Sequence, residues 1–183
     1  AILHNNQVDI SNINSVESFK KNVPVLTKRD YFVPFKPTEW IRTGAQNKIK
    51  TIMTSSGFSG TFAFGAELRG DTKNIRSGVD FTLDMLFKTS SKKTLLINCV
   101  PMGVHVETSL TIAETSVRSD MAIAIARDMS PRFEQTIIVG DPHFLKKLIE
   151  EGIEKNIDWK ALNTSLICGQ DYFPETYRAY MAN

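Results

Sequence analysis

A stretch of small hydroxyl-bearing residues and glycines over residues 54–61 is the part of the sequence best suited to bind an anion. It reads Thr-Ser-Ser-Gly-Phe-Ser-Gly-Thr and follows the apolar pair Ile52 and Met53. Residues of this size let successive backbone N–H groups point into one concavity, and the hydroxyls add donors without bulk. The pattern predicts a phosphate-binding loop, and it is equally typical of a Gly/Ser turn between two strands.

Specific residues exclude three better-known classes of nucleotide-binding or hydrolytic site. Ala66 stands where a P-loop would need its phosphate-binding lysine. A dinucleotide-binding motif needs three glycines, and only Gly57 and Gly60 are present. A serine-hydrolase elbow has glycines two residues before and two residues after its serine, and neither Ser56 nor Ser59 has both.

His105 is the histidine best placed to touch a ligand. It follows an apolar segment that ends in Cys99, Val100 and Pro101, so it should emerge at the carboxyl edge of a strand, where open α/β sheets bind ligands. A structural role is the alternative interpretation of this single histidine. With Glu107 it imitates the start of a zinc-deaminase motif, but the paired cysteines of that motif are absent, and we expect no metal site.

The elements that must position these residues follow from hydrophobic periodicity. A helix is predicted over residues 142–156, where Asp141 can cap the first turn and Pro142 suits the first position. A second helix is predicted over residues 74–87. Short apolar runs predict strands over residues 95–100, 121–126, 135–139 and 165–168. This alternation is typical of an α/β domain with a largely parallel sheet and flanking helices.

One of these strands has a second interpretation. Only residues 127–134 separate the runs 121–126 and 135–139, and a parallel crossover usually needs about a dozen residues or more. Either one of the two strands is antiparallel, or residues 115–126 form a helix instead.

The first fifty residues differ from the rest of the chain. An amphipathic segment over residues 16–23 is followed by three prolines before residue 38. This pattern predicts a mostly helical lead-in over residues 1–50. Residues 51–183 would then form an α/β nucleotide-binding subdomain.

Composition is that of an ordinary globular protein. Of the 183 residues, 42% are hydrophobic and 23% are charged, which excludes disordered and collagen-like classes. The net charge of +2 is too small to indicate nucleic acid or an anionic membrane as the main partner. The longest uncharged stretch built on apolar residues, residues 94–106, is too short to cross a bilayer.

Cysteine usage and the N-terminal residues bear on location. Cys99 and Cys168 lie far apart in apolar runs, so we expect reduced, buried thiols. No secretory signal is visible at the N-terminus, and we expect a cytoplasmic protein. Nothing in the sequence indicates an oligomeric state.

Three segments, in order along the chain, carry a family resemblance. They read Pro-Val-Leu-Thr-Lys-Arg-Asp over residues 24–30, Ser-Ser-Gly-Phe-Ser-Gly over 55–60 and Ser-Leu-Ile-Cys-Gly-Gln-Asp over 165–171. They resemble three motifs of the adenylate-forming (AMP-binding) enzymes, specifically of the phenylacetate-coenzyme A ligase branch. These motifs are a Pro-hydrophobic-Thr-Lys-x-Asp entry segment, a Ser-Ser-Gly-Thr-Thr-Gly phosphate loop and a Ser-Leu-x-x-x-Gly-Ala-Glu strand and turn.

The resemblance implies part of the large N-terminal domain of such an enzyme. It implies ATP and Mg²⁺ as cofactors, a small carboxylic acid as substrate and coenzyme A as a candidate acyl acceptor. The implied reaction is attack of the carboxylate on the α-phosphorus of ATP, which yields an acyl-adenylate and pyrophosphate. The residue roles that it implies are phosphate binding by Ser55, Ser56, Gly57, Ser59, Gly60 and Thr61, adenine binding by Gly169 and Gln170, and a border of the acyl pocket by His105.

The sequence also departs from the family pattern. Phe58 replaces a threonine, Thr61 and Phe62 replace Lys-Pro, and the pair after Gly169 is Gln-Asp rather than Ala-Glu or Gly-Glu, which predicts weaker phosphate contact. The sequence stops before the family's Tyr-Gly-x-Thr-Glu segment, its ribose-binding aspartate and the C-terminal domain with its catalytic lysine. We therefore expect the N-terminal piece of a longer enzyme, weak or inactive alone; the alternative is a non-catalytic binding or scaffold module.

Overall fold

The computed structural model describes residues 2–36, 39, 41, 44–55, 60, 62–70, 72–101 and 104–182. The chain divides into two units, Ala1–Thr72 and Lys73–Asn183. Short helices and a β-hairpin form the first unit, and a four-stranded sheet with helices forms the second. Among the described helices, none combines the length and the hydrophobicity needed to cross a bilayer.

Short helices dominate the start of the chain, and the division into a helical lead-in over residues 1–50 stays a prediction. Ser15 begins one of them, because its hydroxyl accepts the backbone N–H of Ser18 at 3.0 Å. Asp30 accepts hydrogen bonds from the backbone N–H and the hydroxyl of Thr27, at 2.8 and 2.6 Å. The Thr-Lys-Arg-Asp sequence thus has a local role in starting a helix. These helices are α1 (Ile2–Asn5), α2 (Val16–Asn22) and α3 (Lys28–Phe32).

A β-hairpin follows, made of the antiparallel strands β1 (Ile49–Thr54) and β2 (Phe64–Leu68). Its strands pair with each other in a two-stranded sheet that is separate from the four-stranded one. The hairpin belongs to the first unit, which ends at Thr72. The assignment of residues 51–183 to one nucleotide-binding subdomain stays a prediction.

The second unit is built on a four-stranded sheet in which all three strand pairings are parallel. The strand order across the sheet is β4-β3-β5-β6. All five residues of β3 are buried. The predicted α/β fold with a largely parallel sheet is confirmed. The strands are β3 (Thr94–Asn98), β4 (Thr111–Glu114), β5 (Gln135–Gly140) and β6 (Thr164–Cys168).

The strand predicted over residues 121–126 is wrong, and the helical alternative is correct. After helix α4 (Thr72–Phe87), which lies where periodicity predicts it, helix α5 (Ser119–Asp128) occupies this segment. Its buried residues Ala122, Ile123 and Ala126 lie on one helical face. The missing strand is β4, a four-residue run of which no residue is fully buried, so its sequence carries little strand signal.

The best-predicted helix is α6 (Pro142–Glu154). Asp141 Oδ1 accepts the backbone N–H groups of His143 and Phe144 at 2.9 and 3.0 Å, which confirms the predicted cap. A last helix, α7 (Glu175–Ala182), follows β6.

Helices cover both faces of the sheet. On one face, Leu96 of β3 packs with Ile137 of β5 and Leu83 of α4. On the other face, Leu95 and Ile97 belong to a cluster with buried residues of α5 and α6. Because successive residues of a strand point to opposite faces, β3 contributes to both cores. The two cores fix the sheet between helices on both faces.

Gly152 and Gly78, in α6 and α4, offer a matched test of this packing. A Cβ atom on Gly152 would lie 2.2 Å from Cζ2 of Trp159, whose indole N–H donates to the Ile149 carbonyl at 3.1 Å. We expect Gly152→Ala to lower the free energy of unfolding by about 1–3 kcal/mol, because the displaced ring outweighs the better helix propensity of alanine. Urea denaturation followed by circular dichroism measures this change.

Gly78→Ala is the control. A Cβ atom there meets nothing within 4 Å, so this substitution should raise the free energy of unfolding by about 0.5–1 kcal/mol. A Gly152→Ala protein as stable as the Gly78→Ala protein would show that Trp159 does not pack against α6 at this position.

Candidate functional site

The carboxyl edge of the parallel sheet is the candidate site in the second unit. The four strands end there at Asn98, Glu114, Gly140 and Cys168. The chain leaves β3 toward β4 on one side, and it returns through α5 to β5 on the other side of β3. Open α/β sheets bind ligands at such a reversal of strand order. The side chains at this edge therefore have the right position to meet a ligand.

Asn98 is the buried polar residue at the centre of this edge, with 1% of its surface exposed. Its Nδ2 donates to the Val104 carbonyl at 2.7 Å and to Glu114 Oε2 at 2.6 Å. Its Oδ1 accepts the backbone N–H of Val100 at 3.1 Å. Both ends of the amide are thus occupied, as burial requires, and Asn98 links the loop after β3 to the end of β4.

Glu114 connects this buried amide to His105. The carboxylate accepts a hydrogen bond from Asn98 on Oε2, and its other oxygen, Oε1, lies 2.5 Å from Nδ1 of His105. Parallel pairing brings the two strand residues together, because Asn98 and Glu114 are register partners across β3 and β4. The side chains of His105 and Glu114 are each about half exposed, at 55% and 45%. Glu114 therefore orients the imidazole through Nδ1, and the rest of the ring is open to solvent.

The loop that carries His105 is also attached to α4. Asp80 accepts a hydrogen bond from the Thr108 hydroxyl at 2.6 Å and another from the backbone N–H of Ser109 at 2.9 Å. Partial burial raises the pKa of Asp80, but these hydrogen bonds and the charge of Arg76 outweigh it and hold the pKa below its ordinary value. A negative Asp80 thus anchors the return of the loop to β4 at neutral pH.

Two close approaches shape the part of the edge between β3 and β6. A Cβ atom on Gly140 would lie 3.2 Å from Cβ of Cys99, so glycine lets β5 lie close to the end of β3. The Gly140 carbonyl accepts the backbone N–H of Gly169 at 3.1 Å. Gln170 follows in a left-handed conformation with φ of 75°. The turn after β6 is thereby held against β5.

The structure thus places His105, Gly169 and Gln170 on one edge of one sheet. They do not touch: His105 lies at β4 and the other two follow β6, at opposite ends of the strand order. With about 4.8 Å between neighbouring strands, these ends lie about 14 Å apart. The three residues line a shared edge, and their roles in adenine or acyl binding stay predictions.

The hydroxyl-rich segment lies in the first unit, between β1 and β2. Ser55 closes the hairpin, since its backbone N–H donates to the Ala63 carbonyl at 2.8 Å and its Oγ accepts the Ala63 N–H at 3.0 Å. Gly60 has φ of +78°, a conformation that favours glycine. The segment is therefore a Gly/Ser connection between two strands, and phosphate binding there stays a prediction. The other predicted phosphate ligands, Ser56, Gly57, Ser59 and Thr61, lie outside the described residues.

Sequence reasoning missed Asn98 and Glu114. Glu107 stands near His105 in the sequence only as part of the triplet that imitates a zinc-deaminase motif, and the carboxylate that contacts Nδ1 of His105 is that of Glu114, nine residues away. The signal that could have found Glu114 was the short Thr-Ile-Ala-Glu strand, which periodicity did not detect. Asn98 stood inside a run predicted as a buried strand, and a polar residue in such a run needs hydrogen-bond partners.

Neither cysteine of this edge is suited to act as a nucleophile. Burial raises the pKa of the Cys99 thiol to about 11, although a hydrogen bond with Thr115 opposes this effect. Burial and the charge of Asp141 also raise the pKa of Cys168. Since the thiolate is the reactive form, both groups are poor nucleophiles at neutral pH.

Thiol labelling tests this assignment. With a pKa of about 11, the Cys99 thiol is almost entirely protonated at pH 8. We expect an aromatic disulfide reagent to leave Cys99 unmodified in the folded protein, with Cys168 reacting slowly and faster as the pH rises. Mass spectrometry of the labelled peptides distinguishes the two sites, and guanidinium-unfolded protein is the control. Rapid labelling of Cys99 in the folded protein would contradict its burial.

No family model and no curated protein matches the sequence. The fold, in contrast, is similar to the crystal structure of an open conformation of 2-hydroxyisobutyryl-CoA ligase in complex with 2-HIB-AMP and CoA. The TM-score is 0.62 at 15% sequence identity, over 92% of this chain and 42% of that chain. The chain thus spans less than half the length of that ligase, and its fold is similar to the fold of part of it.

Proposed function

We propose that this chain is the ATP-binding part of a ligase that activates a carboxylic acid as an acyl-adenylate and transfers the acyl group to coenzyme A. The observation that supports it most is the likeness of fold over 92% of the chain to a CoA ligase whose structure holds 2-HIB-AMP and CoA. The segments at residues 24–30, 55–60 and 165–171 add a separate argument from sequence. They favour the phenylacetate-coenzyme A ligase branch.

The proposed chemistry has two steps. In the first, a carboxylate oxygen attacks the α-phosphorus of ATP, the new O–P bond forms, and the bond to pyrophosphate breaks. In the second, a thiol sulfur attacks the acyl carbon and forms the C–S bond of a thioester, the bond from the acyl carbon to the phosphate oxygen breaks, AMP leaves, and the thiol proton passes to water. Donors fixed in position where negative charge develops lower the barrier of such steps.

The residue roles in this proposal divide between the hairpin and the sheet edge. The hydroxyls and backbone N–H groups between β1 and β2 are of the type that binds phosphate oxygens. The sheet edge offers the turn after β6 to the adenine and the histidine near β4 to the acid. The proposed ligands are Ser55, Ser56, Gly57, Ser59, Gly60 and Thr61 for the phosphates, Gly169 and Gln170 for the adenine, and His105 for the acyl pocket.

Mg²⁺ would enter this site with ATP. Among the described residues, no three His, Cys, Asp or Glu side chains converge as a metal site. Mg²⁺ bound with a nucleotide takes most of its ligands from phosphates and water and one or two from the protein. The ion would offset the charge of the phosphates.

Other parts of the full reaction belong to the proposal as well. Since the chain covers 42% of the ligase that it resembles, further segments would complete the acid pocket and supply the catalytic lysine expected from the family. The partners proposed are thus a small carboxylic acid and the remaining part of a longer enzyme. The chain alone would bind nucleotide and turn over poorly.

Calorimetry with Mg-ATP tests the role of the hydroxyl-rich segment. We expect the chain to bind and the double variant Ser56→Ala, Gly57→Ala to bind at least about tenfold more weakly, since hydrogen bonds to a charged ligand are lost. Gly60→Ala should weaken binding by about tenfold, because its φ of +78° becomes unfavourable by about 1–2 kcal/mol once a Cβ is present.

Gly70→Ala is the matched control, since a Cβ atom there also meets nothing within 4 Å and its φ lies outside the left-handed region. It should bind Mg-ATP like the unmodified chain. If the Gly60→Ala variant and the double variant both bind Mg-ATP as tightly as the unmodified chain, the segment has no part in the proposed site. A folded chain that releases no heat with millimolar ATP or AMP would favour the scaffold alternative.

A further inference from the structure

The hydrogen-bonded series Asn98, Glu114 and His105 runs from the buried end of β3 to an exposed imidazole. We propose that Asn98 and Glu114 are positioning residues that, in the neutral form of the His105 ring, hold its hydrogen on Nδ1, so that Nε2 accepts a hydrogen bond from a hydroxyl or thiol group of a ligand. The assignment of the tautomer stands on contacts within the sheet alone. The assignment of the ligand group rests on the proposed function, because it assumes that His105 borders the acyl pocket.

The backbone determines which way Asn98 points. Its Oδ1 faces the N–H of Val100, which can only donate, and its Nδ2 faces the carbonyl of Val104, which can only accept. Exchanging the oxygen and nitrogen of the amide would break both hydrogen bonds inside a residue that is 1% exposed. Nδ2 of Asn98 is therefore a donor, and it donates to Oε2 of Glu114 at 2.6 Å.

Glu114 determines which nitrogen of the imidazole carries the hydrogen. An ionised carboxylate only accepts hydrogen bonds, and Oε1 of Glu114 lies 2.5 Å from Nδ1 of His105. Nδ1 must therefore carry a hydrogen. A neutral imidazole has one hydrogen, so Nε2 carries the lone pair.

This assignment decides which ligand groups can bond to Nε2. Among the described residues, none is seen to hydrogen-bond to Nε2, and 55% of the His105 side chain is exposed. Carboxylate and phosphate oxygens only accept, so they cannot bond to Nε2 of the neutral ring. Of the groups that would reach the acyl pocket of such a ligase, the hydroxyl of a hydroxy acid and the thiol of coenzyme A can donate to Nε2.

NMR of the chain labelled with ¹⁵N at histidine measures the tautomer directly. Spectra are recorded at a pH where the shifts of His105 no longer change with pH. In the unmodified chain, we expect Nδ1 of His105 to show the shift of a protonated nitrogen and Nε2 that of an unprotonated one. The His105→Gln spectrum identifies the signals by their loss. Hydrogen on Nε2 in the unmodified chain would overturn the proposal with no further variant.

Glu114→Gln should reverse the tautomer. Asn98 still donates, so the new amide must turn its oxygen toward Asn98 and its NH₂ group toward His105. Nδ1 would then accept, and the hydrogen would move to Nε2. A hydrogen bond to a charged group is strong enough to change the ratio of tautomers by about tenfold or more.

Glu154→Gln is the matched control, the same chemical change on the surface of α6. It should leave His105 as in the unmodified chain, and the signals of His4 and His143 should be the same in all variants. A folded Glu114→Gln chain with the original tautomer would show that Glu114 does not position the ring. Neither measurement needs ATP, so a failure of the proposed function leaves this part of the proposal standing.

Matched small molecules distinguish the two sources of the donor. Pantetheine is compared with its S-methyl derivative, and lactate is compared with propionate, each followed by the ¹⁵N shift of His105 Nε2. A shift with pantetheine but not with its S-methyl derivative identifies the thiol as the donor. A shift with lactate but not with propionate identifies the hydroxyl as the donor. Equal effects of both members of each pair, or no effect of any, would overturn the assignment of the ligand group while leaving the nucleotide-binding proposal to its own test.

Discussion

Burial of β3 and β5 on both faces is the constraint on which the second unit depends. Side chains of β3 enter the core under α4 and the core under α5 and α6 in alternation. A shift of one residue in the register would move every side chain to the opposite face. The register is therefore strongly determined, and with it the height at which each strand leaves the sheet. A polar residue at the end of β3 is consequently held in one place.

Asn98 gains its importance from this position. It is the last residue of a strand that is otherwise apolar apart from Thr94, and it is buried with all its polar atoms hydrogen-bonded. An amide in such a place is costly unless every donor and acceptor has a partner. Its partners come from the loop after β3 and from the neighbouring strand. The requirement to satisfy one buried side chain thereby orders the edge that a ligand would meet.

The likeness of fold and the proposed residue roles rest on separate observations. The likeness to a CoA ligase concerns the fold, because 15% identity does not carry residue roles with it. The proposed adenylate chemistry draws on the hairpin connection for phosphates and on the sheet edge for adenine and acid. The edge has a described geometry, with an oriented imidazole at one end and a turn held by the Gly140 carbonyl at the other. It therefore supports a sharper inference than the hairpin does.

The sequence alone determined the elements whose signals are local. Helix α6 has periodic apolar residues and a capping Asp141, and β3 and β5 are short apolar runs. The helix and the two strands can therefore be predicted from residues that are neighbours along the chain. The location of His105 after β3 followed in the same way. Strand β4 and helix α5 did not, because a half-exposed strand has a weak pattern and an alanine-rich helical face is defined by what packs on it.

The contact between Glu114 and His105 was decided by the tertiary structure. Glu114 is the register partner of Asn98 only because β4 pairs with β3 in parallel. Local periodicity does not predict the order of strands in a sheet. The orientation of the imidazole also depends on a buried amide, whose direction is set by the backbone groups that surround it. Sequence thus determined that His105 follows β3 at this edge, and packing determined that Glu114 and Asn98 meet there and orient it.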